Sequence, residues 1–296
     1  MMKGRFRTME DFATPVVEPQ WLVNNLDAED LVILDGSWRL NGGASAAKAA
    51  YDEAHIPGAV FFDVDEISDR SSPLPHMLPT PENFAEAVSA LGVSNNDAVV
   101  IYDEAGLFSA PRVWWTFRAM GHDRVSVLNG GLPMWRAIGA PVTGAVRNRT
   151  RQNYQTNFKS SLVSAAADVQ NASNSALILD ARPSARFRGE ANEPRAGLRS
   201  GAMPNAGNTP SAGFLSEDGA IKSATELKAV FDAVGLDDQS VIATCGSGVT
   251  AASICLALEI IGHRDWSLYD GSWAEWGREE NDATLFPVVA RSEGDA

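Results

Sequence analysis

Cysteine is scarce: the 296-residue chain has two, Cys245 and Cys255, ten positions apart. Two cysteines at that spacing make neither a disulfide framework nor a zinc-ligand pattern. The expected compartment is therefore a reducing one, the cytoplasm. Positive charge is also in deficit. With 24 Lys and Arg against 38 Asp and Glu, the formal net charge is −14, which argues against nucleic acid or an anionic membrane surface as the main partner. No apolar run approaches the roughly 20 residues of a transmembrane helix. Lys3, Arg5 and Arg7 make the start of the chain basic, but no apolar stretch follows them, so they do not read as a secretory signal.

What is present is an ordinary globular composition, 45% apolar, in a chain long enough for two cores. In the first half, Leu31–Asp35 reads as a buried strand ending in an acid. His55-Ile56-Pro57-Gly58-Ala59 is a turn feeding the short run Val60–Phe62. A helix runs from Pro81 to Leu91, begun by Thr80 and closed by Gly92. Val99–Tyr102 is a second strand, Val113–Met120 a helix ended by Gly121, and Val125–Leu128 a third strand. Apolar strands alternating with helices predict an α/β fold, a mostly parallel sheet with helices on both faces.

The second half repeats the first. Leu177–Asp180 answers the Asp35 strand, Val241–Cys245 answers Val99–Asp103, Gly262-His263 answers Gly121-His122, and Trp276 answers Trp135. The later matches sit about 141 residues apart, a tandem duplication rather than a short-period solenoid. The expected division is an N-terminal extension (1–19), a first domain without an active cysteine (20–143), a linker (144–165) with a polar centre at Arg147–Asn157, a catalytic domain (166–285) and a tail (286–296).

The duplication breaks symmetry at one point. Val241-Ile242-Ala243-Thr244 runs into Cys245-Gly246-Ser247-Gly248-Val249-Thr250, and the apolar positions Val249, Ala252, Leu256 and Ile260 then carry a helical period that stops at Gly262. Strand, tight loop and helix N-terminus put backbone N–H groups and the positive dipole end beside a sulfur, a setting that favours the nucleophilic thiolate. Gly246 and Gly248 let several N–H groups turn toward one anionic atom. In the first half this position is Asp103, followed by Glu104. Only the second half is expected to do cysteine chemistry, with the first half supporting it across a domain cleft. Cys255, beside Leu256 and Leu258, reads as core.

These residues resemble the two-domain rhodanese superfamily of sulfurtransferases, and within it the mercaptopyruvate-type members. The resemblance covers about Trp21 to Gly277. It is carried by Cys245–Thr250, Ser109-Ala110-Pro111-Arg112-Val113-Trp114-Trp115, Ser72-Pro73-Leu74-Pro75-His76-Met77-Leu78-Pro79 and Tyr269-Asp270-Gly271-Ser272-Trp273. It implies tandem rhodanese-like domains and a ping-pong reaction that requires no metal and no organic cofactor. Cys245 takes the sulfur of 3-mercaptopyruvate, releases pyruvate, and passes the sulfur from a persulfide to a thiol acceptor such as thioredoxin or a small thiol, or to cyanide. By the same resemblance Arg186 and Arg195 clamp the substrate's carboxylate and carbonyl, as planar guanidinium groups can. Gly246, Gly248, Val249 and Thr250 line the sulfur site. Ser247, His76 and Asp65 form a group that handles the proton needed by the departing enolate.

The neutral loop distinguishes this chain from thiosulfate-type relatives, which resemble it but carry basic residues there. Thiosulfate:cyanide sulfur transfer remains the close alternative, and a non-catalytic sulfur-carrier module a more distant one. A phosphatase with a related loop needs an arginine six residues after its cysteine, where this chain has Ala251. One departure from the family pattern is the second-half turn, Gly201-Ala202-Met203-Pro204-Asn205-Ala206, which lacks the histidine and one glycine of the usual Gly-His-Ile-Pro-Gly-Ala. The turn is expected to persist with different hydrogen bonds.

Overall fold

A computed structural model describes residues 14–172 and 176–290; Lys3, Arg5 and Arg7 lie outside the described residues. The chain divides into two compact units. One comprises the described residues through Ser71, with Leu78–Lys159 and Glu217–Ile221; the other comprises Ser72–Met77, Ser160–Ser216 and the described residues from Lys222 on.

In the N-terminal unit the elements run β1 (Val16–Val17), α1 (Pro19–Asn25), β2 (Leu31–Asp35), α2 (Gly43–Glu53), β3 (Val60–Phe61), α3 (Pro81–Ala90), β4 (Ala98–Tyr102), α4 (Ala110–Ala119), β5 (Val125–Leu128) and α5 (Gly131–Ala137). Its sheet has the order β1-β5-β4-β2-β3, every pair parallel. The central strands β2 and β4 are buried at every position, which is why their sequences are unbroken apolar runs rather than alternations. Thr80 caps α3 by accepting the Asn83 N–H at 3.2 Å, as its sequence predicts. Helix α4 begins at Ala110 rather than Val113, because Pro111 occupies the first turn, where no N–H is needed.

The C-terminal unit repeats the plan: β6 (Val163–Ser164), α6 (Ala166–Asn171), β7 (Ala176–Asp180), α7 (Ser184–Phe187), β8 (Ala206–Asn208), α8 (Ala224–Asp232), β9 (Ser240–Thr244), α9 (Ala251–Ile261), β10 (Trp266–Tyr269) and α10 (Ser272–Trp276). The order β6-β10-β9-β7-β8 is again wholly parallel. In each unit the sheet is flanked by helices.

Helix α9 starts two residues later than the apolar period suggests. Val249 and Thr250 belong to the loop, and Val249 is buried from there. Residues Ala251–Leu258 of α9 are all buried, Cys255 fully so. Gly262 closes the helix with φ of 84°.

The altered turn keeps its form. His55 exchanges both backbone hydrogen bonds with Thr143 at 2.9 Å, and Ala202 does the same with Val289. Asn205, with φ of 59°, takes the left-handed position that Gly58, with φ of 82°, holds in the first copy. Asparagine tolerates this conformation better than other residues with a side chain. The first turn gains one bond that the second lacks, His55 Nδ1 to the Tyr51 carbonyl at 2.6 Å.

Candidate active site

In parallel α/β sheets, ligand sites form at the carboxyl ends of the central strands. In the C-terminal unit those ends are Asp180 and Thr244, paired across β7 and β9, and Cys245 follows at once. Its residue is 2% exposed.

The backbone at Cys245 is held from β10 and α10. The Cys245 N–H donates to Ser272 Oγ at 3.2 Å, Thr244 Oγ1 donates to the same oxygen at 3.3 Å, and Ser272 Oγ donates to the Tyr269 carbonyl at 2.8 Å. On the other side, the Trp273 N–H donates to the Cys245 carbonyl at 3.0 Å and the Ala274 N–H to the Gly246 carbonyl at 2.8 Å. The loop is thus fixed at successive peptides before α9 begins. Gly248 takes φ of 75° within it. Ser247 is buried.

Arg186, on α7, comes directly against this loop. A Cβ at Gly246 would lie 3.0 Å from Arg186 Nη2, so the missing side chain at 246 is what admits the guanidinium. Glu193 holds Arg186 there through both carboxylate oxygens, and the same carboxylate receives Arg182 Nη1 at 2.8 Å. Arg182 in turn reaches Asp180 at 2.7 Å and the Gly201 carbonyl at 2.9 Å, with its guanidinium 4.1 Å over the Trp273 ring. Burial works against the Arg182 charge, but Asp180 and Glu193 outweigh it and hold its pKa above the ordinary arginine value. Two acids and two arginines therefore form one connected, charge-balanced group under the loop.

Arg195 and His76 meet within the same unit. Arg195 Nη2 donates to His76 Nε2 at 3.3 Å, and His76 is 8% exposed with φ of 61°. Of the residues singled out from the sequence, the structure brings Arg186 to the Cys245 loop and pairs Arg195 with His76. Asp65 belongs to the N-terminal unit, where it accepts from the Trp38 indole N–H at 3.1 Å and the Ala44 N–H at 3.0 Å. Arg182, Glu193 and Ser272 were not picked out. Arg182 had a signal, a basic residue two places past the acid that ends a strand, and Glu193 opens the Glu193-Pro194-Arg195 segment; the part Ser272 plays depends on a hydrogen bond across 27 residues.

The N-terminal unit carries the matching loop. Asp103 stands at the Cys245 position, fully buried. Its carboxylate accepts the N–H groups of Ala105 at 3.0 Å, Ser109 at 2.8 Å and Ala110 at 2.8 Å. Burial pushes its pKa up and the Ala110 and Ser109 N–H groups pull it back, with a net rise.

Rhodanese-like domains match residues 18–138 and 164–279, so the chain belongs to the rhodanese-like family, with two copies of the domain. The chain is 43% identical over 265 residues to 3-mercaptopyruvate sulfurtransferase of Escherichia coli (strain K12), covering 88% of this chain and 94% of that protein. It is 41% identical over 271 residues to thiosulfate sulfurtransferase of Bos taurus, covering 88% and 91%. A crystal structure of a 3-mercaptopyruvate sulfotransferase from Escherichia coli gives a TM-score of 0.80 at 41% identity, over 88% of this chain and all of that one. The enzyme class is sulfurtransferase. Among the described residues no helix is long and apolar enough to cross a membrane.

Proposed function

We propose that this enzyme moves sulfur from 3-mercaptopyruvate through a persulfide on Cys245. The observation that carries the reading is the pairing of an uncharged loop, Gly246-Ser247-Gly248, with a guanidinium, Arg186, set against it from outside by Glu193. A monocarboxylate α-keto donor needs its cations at the carboxylate and carbonyl, beside a neutral sulfur cradle. A small doubly charged anion would be served better by cations inside the loop. The Cys245 thiolate attacks the donor sulfur, the C3–S bond breaks, and its electron pair stays on C3 as the enolate of pyruvate. The proton from the donor's thiol completes the methyl group, so a thiolate and mercaptopyruvate become a persulfide anion and pyruvate. An acceptor thiolate or cyanide then attacks the outer sulfur and regenerates the Cys245 thiolate.

In this reading Arg186 and Arg195 bind the carboxylate and carbonyl, and Gly246, Gly248, Val249 and Thr250 frame the sulfur. Ser247, His76 and Asp65 are the group that handles the proton passed to C3. The His76–Arg195 contact supports a proton-handling group beside the clamp. Acceptors are small thiols, a thioredoxin-type protein or cyanide, with no nucleic acid or membrane partner. The two free cysteines support a reducing compartment, the cytoplasm. Catalytic efficiency with mercaptopyruvate and with thiosulfate, measured on one preparation, tests the donor assignment. A higher kcat/KM with mercaptopyruvate is expected, and a higher value with thiosulfate would reverse it.

A further inference from the structure

The two units share a strand-end turn, and what fills it differs. In the C-terminal unit the Arg182 N–H donates to Asp180 Oδ1 at 2.9 Å; in the N-terminal unit the Ser37 N–H donates to Asp35 Oδ1 at 2.9 Å. The next contact also repeats, since the Trp273 N–H donates to the Cys245 carbonyl and the Leu132 N–H to the Asp103 carbonyl. Ser37 thus stands for Arg182, and Leu132 for Trp273. The guanidinium that neutralises Asp180, and the indole it rests on, have no counterpart of their size in the N-terminal unit.

Their place is open. A cavity of about 260 Å³ is bounded by Asp35, Ser37 and Leu132, with Ala47, Ala50 and Tyr51 of α2 as its wall. Asp35 is 2% exposed. Its partners, the Ser37 N–H and the hydroxyls of Ser37 and Tyr102, are uncharged donors. Arg39 does not fill the space: it pairs with Glu104 at 2.6 Å on the exposed side. Arg39, Glu53, Ala54, Glu104 and Arg136 form the rest of its lining.

We propose that this cavity binds a small organic cation, through a guanidinium or primary ammonium head, in the position that the Arg182 guanidinium occupies in the other repeat. The head donates hydrogen bonds to Asp35, which such a charged pair shortens and strengthens. A buried carboxyl with neutral partners beside an open, arginine-sized space is a site built for that charge. Burial already raises Asp35 to about 6, with neighbouring Asp103 adding to the rise and the Ser37 and Tyr102 hydrogen bonds opposing it. Tyr51, pushed up to about 12 by burial and by Asp35, stays uncharged at neutral pH. Proton and ligand therefore compete for Asp35, and the other ionisable side chains lining the cavity are Arg39, Tyr51, Glu53, Glu104 and Arg136.

The test is titration of the full-length protein with methylguanidinium chloride at millimolar concentration, followed by amide chemical shifts. Saturable shifts at Ser37, Tyr51 and Leu132 are expected, with methylammonium binding at the same place and tetramethylammonium, which has no N–H, not binding. Affinity falls about tenfold from pH 7 to pH 5 as Asp35 is protonated. Asp35→Asn weakens binding at least about tenfold, and Ser37→Arg, which supplies the guanidinium internally, abolishes it. Absence of saturable shifts overturns the proposal. So does binding that either folded variant leaves unchanged, or equal binding of tetramethylammonium.

Discussion

The two loops that follow the central strands, at Cys245 and Asp103, are one design with its anion supplied differently. In the N-terminal unit the anion is part of the chain: the Asp103 carboxylate takes the N–H groups of Ala105, Ser109 and Ala110. In the C-terminal unit the position carries a thiol instead, a guanidinium stands against the loop, and a buried charge network holds that guanidinium. A loop closed on its own carboxylate is structural. One that lacks it is left able to hold an anion brought by the reaction. On the proposed function, the duplication separates stability from chemistry between two copies of one fold.

Substitutions break or sharpen that contrast to different degrees. The largest effect belongs to Cys245→Ser, expected to lower sulfur transfer by at least roughly 10³-fold, as loss of a nucleophile does elsewhere. Asp103→Asn leaves turnover essentially unchanged, and steady-state kinetics on both variants checks the contrast. Next is Arg182→Ala, which strands the buried Asp180 and Glu193 carboxylates. It costs about 3–5 kcal/mol in chemical denaturation, whereas Ser37→Ala at the matching position costs about 1 kcal/mol.

Asp35 gives a pH signature. Its carboxyl is raised to about 6 from 3.8 by burial, so the folded state prefers the protonated form. The resulting stabilisation is fully present below pH 3.8 and is lost as pH rises through about 6, amounting to up to about 3 kcal/mol. Asp35→Asn removes this dependence, so denaturation curves show the variant gaining on the parent between pH 4 and pH 7. Asp103→Ala leaves buried N–H donors without an acceptor and costs about 1–3 kcal/mol. The smallest effect is at the paired turns. Asn205→Ala costs about 1 kcal/mol, because alanine adopts a positive φ poorly, and Asn205→Gly is neutral or slightly stabilising by thermal melting.

Much of this was legible in the sequence because the signals are local. The unbroken apolar runs at Leu31–Asp35 and Val99–Tyr102 announced buried parallel strands, Thr80 and Gly92 bracketed α3, and the Cys245 loop declared its strand-turn-helix setting. The two-residue edge strands β1 and β6 were not legible, since two residues carry no period and pair only because β5 and β10 offer an open edge. Helix α2, rich in alanine, hid its buried face at Ala44, Ala47 and Tyr51 behind a weak contrast. In the candidate site, Cys245 could be singled out from its own segment, whereas Arg186 and Arg195 were named only through the family resemblance. The support given by Glu193 and Ser272 could not be read, because it consists of hydrogen bonds between segments that only the fold brings together.

The claim that the cysteine loop carries the sulfur while the aspartate loop is structural is tested most directly by intact mass. Purified protein is measured before and after brief exposure to 3-mercaptopyruvate, with Cys245→Ser and Asp103→Asn treated alongside. The account predicts a gain of one sulfur atom in the parent and in Asp103→Asn, reversed by a thiol and absent from Cys245→Ser. A gain that persists in Cys245→Ser, or no gain in the parent, would contradict it.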